Sequence, residues 1–332
     1  MKRKLAATVL GSMTIMSGVQ AKPVLDVYTY SSFTSEWGPG PELERRFEAS
    51  CGCDLVWTSV DDGVAILSRL KLEGASSKAD VVLGLDSSLT AEAKDGGFVA
   101  PHGQDLSGLT LPVMYDDPSF VPYDWGYFAF VYDRTRLPNP PKSLAELADA
   151  PPDLTVVIQD PRTSTPGLGL LLWVKAVHGE DARAYWEKLA PHILTVTSGW
   201  SEAYDLFLKG EASMVLSYTT SPAYHMVAES KDDIQAAPFT DGHYLQVEVA
   251  ALAKNAQEPE LAKRFLQFLL SSDAQSILPT TNWMYPAKSD GVELPEEFSR
   301  LIQPGKALLT NAETVRVNRA AWVDEWFAAL GR

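Results

Sequence analysis

The chain has 332 residues, 28 Lys and Arg against 43 Asp and Glu, and a formal net charge of −15. That balance argues against nucleic acid as a partner and favours cations in a general way, although an acidic surface also serves plain solubility. The composition is that of an ordinary globular protein without repeats or low-complexity tracts, and the length exceeds what one hydrophobic core usually carries, so two lobes are expected.

Lys2, Arg3 and Lys4 precede an apolar run from Leu5 to Val19 and the small-residue site Val19-Gln20-Ala21, the pattern of a secretory signal peptide over residues 1–21, cleaved after Ala21. The run is short for a membrane span, and no cysteine follows Ala21 to accept a lipid, since the first is Cys51. Cleavage removes three positive charges and no negative ones, which leaves 25 basic against 43 acidic residues in a soluble exported protein that begins near Lys22.

The mature chain opens with the strand-like run "PVLDVYTY" (23–30), a helix through "PELERRFEAS" (41–50), "CDLVWTSV" (53–60), a helix through "VAILSRLKLEG" (64–74) and "ADVVLGL" (79–85). This βαβαβ start predicts an α/β fold with a parallel sheet covered by helices, whose ligands bind beyond the carboxyl ends of the strands. The loops there are "YSSFTSEWGPG" and "SVDDG". The two cysteines, Cys51 and Cys53, flank Gly52; an oxidised pair suits an exported protein, and two free thiols remain the alternative. With the five histidines scattered, no metal site is expected.

A second unit follows: "LTVVIQD" (154–160), the loop "PRTSTPG", helices near 168–179 and 180–190, "ILTVT" (193–197), a helix through "WSEAYDLFLKG" (200–210) and "SMVLSY" (213–218). Between the units runs "YDWGYFAFVYD" (123–133), and after the second comes "HYLQVEVAAL" (243–252), which alternates as a strand exposed on one side does. Two long strands crossing between lobes make a hinge, and a helix over 259–278 returns the chain to the first lobe. The expected division is 22–125 plus about 246–285 for the first lobe, 126–245 for the second, and 286–332 for a C-terminal helical segment.

No Gly-x-Ser-x-Gly elbow, paired metalloprotease histidines, phosphate loop or full Gly-x-Gly-x-x-Gly is present, so nothing places a nucleophile beside a base. Instead the strand-end loops carry aromatics, hydroxyls and acids: Tyr30 and Trp37, then Asp62 and Gly63, Ser164 and Thr165, Trp200, the cluster Tyr218, Thr219, Thr220 and Ser221 with Tyr224, and Trp283. Taken singly, Asp62, Ser164 and Thr165 read as helix N-caps, and each Trp or Tyr as core. Together they suit a small flat ligand with a positive charge: rings stack on Trp and Tyr faces, Asp62 bonds an aminopyrimidine edge, and hydroxyls with the helix end near Thr165 hold an alcohol or phosphate tail. His225, at the end of "VLSYTTSPAYH", is the member of this set with the weakest claim to a role.

At this point the motifs "DDGVAILSRL", "SKADVVLGLD", "FVPYDWGYFAFVYD", "QDPRTSTPGLGLLLW", "TVTSGWSEAYDLFLKGE", "LSYTTSPAYH", "DGHYLQVEVA" and "TNWMYP" resemble those of the periplasmic thiamine-binding proteins of bacterial ABC importers, over nearly all of the mature chain. The resemblance implies a type II periplasmic-binding-protein fold, two α/β lobes that close on thiamine, with its mono- and diphosphate as further ligands. It implies delivery by a periplasmic monomer to an inner-membrane permease driven by an ATPase, with no cofactor. Ligand contacts would fall on Asp62, Gly63, Ser164, Thr165, Trp200, Tyr218, Thr219, Thr220 and Ser221, with Tyr30, Trp37, Tyr224 and Trp283 as further wall residues. The rival readings are a ferric-ion-binding protein of the same fold, for which Tyr218 and Tyr224 would be ligands, a carrier of polyamines or sugars, and an exported hydrolase.

Overall fold

The computed structural model describes residues 22–331, so the expected signal segment lies outside the described residues. The strands β1 (Val24–Tyr30), β2 (Asp54–Val60) and β3 (Val81–Asp86) run parallel in the order β2-β1-β3, with α1 (Gly40–Cys51) and α2 (Gly63–Glu73) as crossovers. Every residue of β3 is buried, as expected of a strand with both faces covered, which is why it reads as one continuous apolar run. At the end of α1 the Cys51 and Cys53 sulfurs are bonded, closing a small ring around Gly52, whose φ of +65° is one that a residue without Cβ adopts freely.

The chain then enters β4 (Phe120–Asp133) and builds the second unit: β5 (Val156–Gln159), α3 (Thr165–His178), α4 (Ala182–Leu189), β6 (Ile193–Thr197), α5 (Trp200–Leu208), β7 (Met214–Tyr218) and α6 (Ser221–Ala228). It returns through β8 (His243–Ala253) to α7 (Pro259–Leu269) and ends with α8 (Ala312–Ala329). The sheet order is β2-β1-β3-β8-β4-β7-β5-β6.

β4 and β8 join the two halves of this sheet. The first half of β4 pairs antiparallel with β8, from Phe120 opposite Ala251 to Tyr127 opposite Leu245, and its second half, Phe128 to Tyr132, pairs with β7. β8 in turn pairs with β3 through Glu248 to Leu252. One strand thus belongs to both halves, with the changeover at Asp124 to Tyr127 of β4 and Leu245 to Glu248 of β8.

Two sequence expectations need correction. β8 is not half exposed: all eleven of its residues are buried, because it is a central strand and its polar members, Gln246 and Glu248, face other protein groups instead of water. The helix expected over 259–278 stops at Leu269; Ser271 caps a new helical turn over Ser272–Gln275 by accepting from the Ala274 amide, and Leu278–Thr281 forms another with Pro279 in its first turn. Serine competes with the helical backbone for hydrogen bonds and so favours caps over helix interiors. The C-terminal α8 packs against both halves: Arg319 forks onto Glu92 at 2.8 and 2.9 Å, and Lys175 of α3 reaches Glu325 at 3.3 Å.

Candidate functional site

Four strand ends converge on a groove between the halves. β1 ends at Tyr30, β2 ends at Val60 just before Asp61 and Asp62, β6 runs through Gly199 into Trp200, and β7 ends at Tyr218 before Thr219 and Thr220 lead into α6. They enclose a cavity of about 400 Å³ whose wall includes Tyr30, Trp37, Asp61, Asp62, Trp200, Tyr204, Asp205, Tyr218, Thr220, Ser221, Tyr224, Glu248, Asn282 and Trp283. Seven aromatic rings and four carboxylates line this space, and none of its lining residues is Lys, Arg or His.

The aromatic walls are braced from behind. Trp200 stacks on Tyr204 with ring centroids 4.9 Å apart and planes 24° from parallel, and donates its indole N–H to Ser217 Oγ at 2.8 Å. Trp37, half exposed at the rim, approaches Trp200 to 6.3 Å. Across the cavity Trp283 meets Tyr224 edge to face at 5.4 Å. Trp283 has a φ of +56°, a left-handed conformation that costs a bulky residue about 1–2 kcal/mol, here held by its N–H bond to Leu278 O after the short helix Leu278–Thr281. Strain of this kind at a cavity wall is a mark of a positioned side chain.

Asp62 does more than cap its own helix. Its Oδ1 accepts from the Gly63 amide at 2.6 Å and the Thr165 amide at 3.2 Å, while Oδ2 accepts from Ser164 Oγ at 2.7 Å and the Trp200 amide at 3.0 Å. One carboxylate thereby sits on the N-termini of three helices, α2 from the first half and α3 and α5 from the second, where the helix dipoles favour negative charge. Burial pushes the Asp62 carboxyl above its ordinary range, and the four donors oppose that shift. Gly63 completes the seam: a Cβ there would overlap Thr165 Oγ1 and the Gly84 carbonyl, so the two halves approach this closely only because the residue is glycine.

Of the residues singled out in the sequence, Asp62, Trp200, Tyr218, Thr220, Ser221, Tyr30, Trp37, Tyr224 and Trp283 therefore share one cavity wall, whereas Gly63, Ser164, Thr165 and Thr219 lie off it. Gly63, Ser164 and Thr165 form the seam, and Thr219 is buried at the end of β7, its amide bonded to Tyr127 O at 2.8 Å. The helix end near Thr165 does not present free amides to a ligand tail, because Asp62 and Ser164 already accept from them. Several hydroxyls are likewise engaged within the protein: Ser221 Oγ bonds Ser217 Oγ at 2.7 Å and accepts from the Tyr218 amide at 3.1 Å, and Thr220 Oγ1 donates to Met284 Sδ at 3.6 Å. His225 stands behind the wall, joining the Tyr204 hydroxyl at 2.9 Å to Glu229 at 3.0 Å.

Sequence reasoning misses Glu248, Tyr204, Asp205 and Asn282. Glu248 has a legible signal, a lone acid in the apolar run of β8, which the supposed exposure of that strand conceals. Its Oε2 accepts from the Tyr30 and Tyr123 hydroxyls at 2.8 and 2.7 Å, and its Oε1 from Gln246 Nε2 at 2.9 Å. Asp124 lies opposite it in register on β4 and accepts from Asn282 Nδ2 at 2.6 Å. Burial first, then the neighbouring carboxylate, pushes Asp124 well above the usual range, and burial pushes Glu248 up to about 7. The Tyr218 phenol is pushed up as well, by burial and then by the charges of Glu248, Asp62 and Asp124. The arrangement is a slot with aromatic sides and an acidic floor, suited to a flat cation.

Comparison with known proteins agrees with this shape. The family model of the bacterial extracellular solute-binding proteins matches residues 31–276. A thiamine-binding periplasmic protein of Brucella abortus biovar 1 (strain 9-941) is 53% identical over 313 residues, 94% of each chain. A solved periplasmic thiamin binding protein superposes with a TM-score of 0.91 at 52% identity, covering 94% of this chain and 97% of that one. A ferric binding protein from Campylobacter jejuni superposes with a TM-score of 0.75 at 20% identity over 92% and 99% of the two chains, a likeness of fold alone.

Proposed function

The chain belongs to the bacterial extracellular solute-binding proteins and has their type II fold, and from that premise we propose that it captures thiamine in the periplasm and delivers it to an ABC import permease. Thiamine monophosphate and diphosphate are further ligands of the same cleft. The observation that carries this reading is the cavity wall itself, seven aromatic rings with four acids and no base, which matches a ligand made of an aminopyrimidine and a permanently cationic thiazolium ring. Half-identity to the thiamine-binding relatives over nearly the whole chain supports the same solute.

In this reading Trp200 and Tyr218 stack on or edge the two rings, with Tyr30, Trp37, Tyr224 and Trp283 closing the walls. Thr220 and Ser221 shape the turn beneath them, Thr219 fixes that turn to β4 through Tyr127, and Gly63, Ser164 and Thr165 act through closure of the seam. Asp62 is the latch. Three of its four hydrogen bonds, from Ser164, Thr165 and Trp200, join the halves, so the ligand and the latch favour the same closed state, and a ligand shifts the open–closed equilibrium by its differential affinity for that state. The ferric reading fits poorly, since a tyrosinate ligand needs a phenol that ionises readily, and burial together with the surrounding acids pushes Tyr218 the other way.

Titration of ligand-stripped protein with thiamine, thiamine monophosphate, spermidine and ferric ion, followed by tryptophan fluorescence, tests the assignment. Saturable quenching by thiamine at one equivalent per chain is expected; thiamine left unbound while another solute saturates would overturn it. Conversion of thiamine to a product during the incubation would place the protein among enzymes instead.

A further inference from the structure

Asp124 and Glu248 present a charge imbalance that the rest of the fold leaves unresolved. They are register partners on the two strands that join the halves, both are buried, and Glu248 lines the cavity. The groups that face them are Tyr30 from β1, Tyr123 from β4, Tyr218 from β7, Gln246 from β8, Asn282 from the turn after Leu278–Thr281, and the Asp62 carboxylate across the cavity. All are neutral donors or acids. Neither carboxylate takes part in any ion pair among the described residues. Among the described residues, the buried Asp124 Oδ1 has no hydrogen-bond partner, and neither does Oε1 of Gln246, the residue whose amide donates to Glu248.

Two ionised carboxylates cannot share a dry site without a cation or a proton between them. A permanent counter-charge would be a buried lysine or arginine, and among the described residues none faces the pair, so the charge must be balanced by something that comes and goes. We propose that Asp124 and Glu248 are a proton-exchanging counter-ion for the transported cation: with the cleft empty they share one proton, and an organic cation settling over Glu248 expels that proton to solvent and leaves both carboxylates ionised. The charge of the site is the same before and after, one negative charge balanced each time. The pair thereby links affinity to pH and discriminates for a permanent cation over an uncharged ring of the same shape. This inference rests on the cationic-solute reading above and adds to it the stoichiometry of protons.

Burial raises both carboxyls, the Glu248 charge raises Asp124 further and the Asp62 charge raises Glu248, which agrees with a retained proton near neutrality. Because the two groups titrate as a unit, the proton belongs to the pair and to neither residue alone.

Calorimetric titration of the full mature chain with thiamine, run at pH 6.5 in two buffers of different ionisation enthalpy, counts the protons. The wild type is expected to release about half a proton or more per ligand, with Kd rising by up to about tenfold for each pH unit lost on the acid side. Asp124→Asn, which removes one of the two carboxylates that share the proton, is expected to bind thiamine with release reduced to about a tenth or less. Equal heats in the two buffers with thiamine bound, or undiminished release by Asp124→Asn, overturns the proposal. Infrared spectra of ligand-free wild type and Glu248→Gln at pH 7 give an independent reading through the protonated-carboxyl band. If thiamine fails to bind, the solute assignment falls, and that band, present in the wild type and altered in the variant or absent from the wild type, decides the pair by itself.

Discussion

The seam and the floor of the cleft each bury carboxylate, and they meet its desolvation cost differently. At the seam, the two oxygens of Asp62 receive four donors, three of them amides at helix N-termini, so the ionised form is solvated by the protein and the two halves are joined in the process. On the floor, Asp124 and Glu248 receive hydroxyls and amides but stand opposite one another, one Asp124 oxygen without a partner. Like charges on directly opposed strand residues repel, and burial in a low-dielectric surrounding strengthens that repulsion. The difference separates a carboxylate whose counter-charge is built from backbone from a pair whose counter-charge must be supplied from outside.

Breaking the seam is expected to have the largest effect. Asp62→Ala leaves the Ser164 hydroxyl and the Thr165 and Trp200 amides without their acceptor, and hydrogen bonds to a charged group contribute about 1.5–3 kcal/mol each. Thiamine affinity should fall by about 2–4 kcal/mol, and small-angle scattering should show that the compaction produced by ligand in the wild type is lost. Unchanged compaction would mean that Asp62 caps helices without latching the halves.

Removing a wall ring tests the space between seam and floor. Trp200→Ala deletes the ring stacked on Tyr204 and should weaken binding by about 1–3 kcal/mol in a fluorescence or calorimetric titration, with the thermal midpoint nearly unchanged because the ring borders a cavity.

The floor should declare itself in the pH dependence of stability. A carboxyl whose folded-state value is raised binds more protons folded than unfolded, so its contribution is present below the unfolded value and is lost as pH rises through the folded one. For Glu248, raised to about 7, and Asp86, raised to about 6, both by burial, the ligand-free protein should lose on the order of 5 kcal/mol between pH 4.5 and pH 7.5. Denaturant midpoints across that range measure it, and Asp124→Asn should flatten the upper part of the curve. A steep rise in stability over the same window would place the buried charges elsewhere.

The smallest effect belongs to the cysteine ring, which lies at the end of α1 and contributes nothing to the cavity wall. A bridge closing so few residues restricts the unfolded chain by no more than about 1–2 kcal/mol. Cys51→Ser with Cys53→Ser should lower the denaturation midpoint slightly and leave thiamine affinity unchanged.

Much of the cleft is legible in the amino-acid sequence. Tyr30, Asp62, Trp200 and Tyr218 stand at strand ends because apolar runs of strand length stop there and helical periodicity begins, and in an α/β sheet such junctions fall on one edge. The hidden part is the direction each side chain takes. Ser164 and Thr165 read equally well as tail contacts or as caps, and only the approach of Asp62, about a hundred residues away in the chain, makes them a seam. Glu248 escapes because alternation along β8 has two causes, exposure on one face or a polar floor within the protein, and periodicity does not separate them.

What the sequence by itself determined, then, is the order of strands and helices, the two α/β units and the chemistry carried by the loops between them, since these follow from local periodicity and from capping and turn residues that act within a few positions. Which of those residues face the cavity, which join the halves, and that Asp124 and Glu248 meet without a cation, were decided by the tertiary structure alone. The physical reason is that burial and charge pairing depend on what the hinge strands bring together from distant parts of the chain, and a carboxylate's neighbours in space decide whether it is a cap, a latch or a counter-ion.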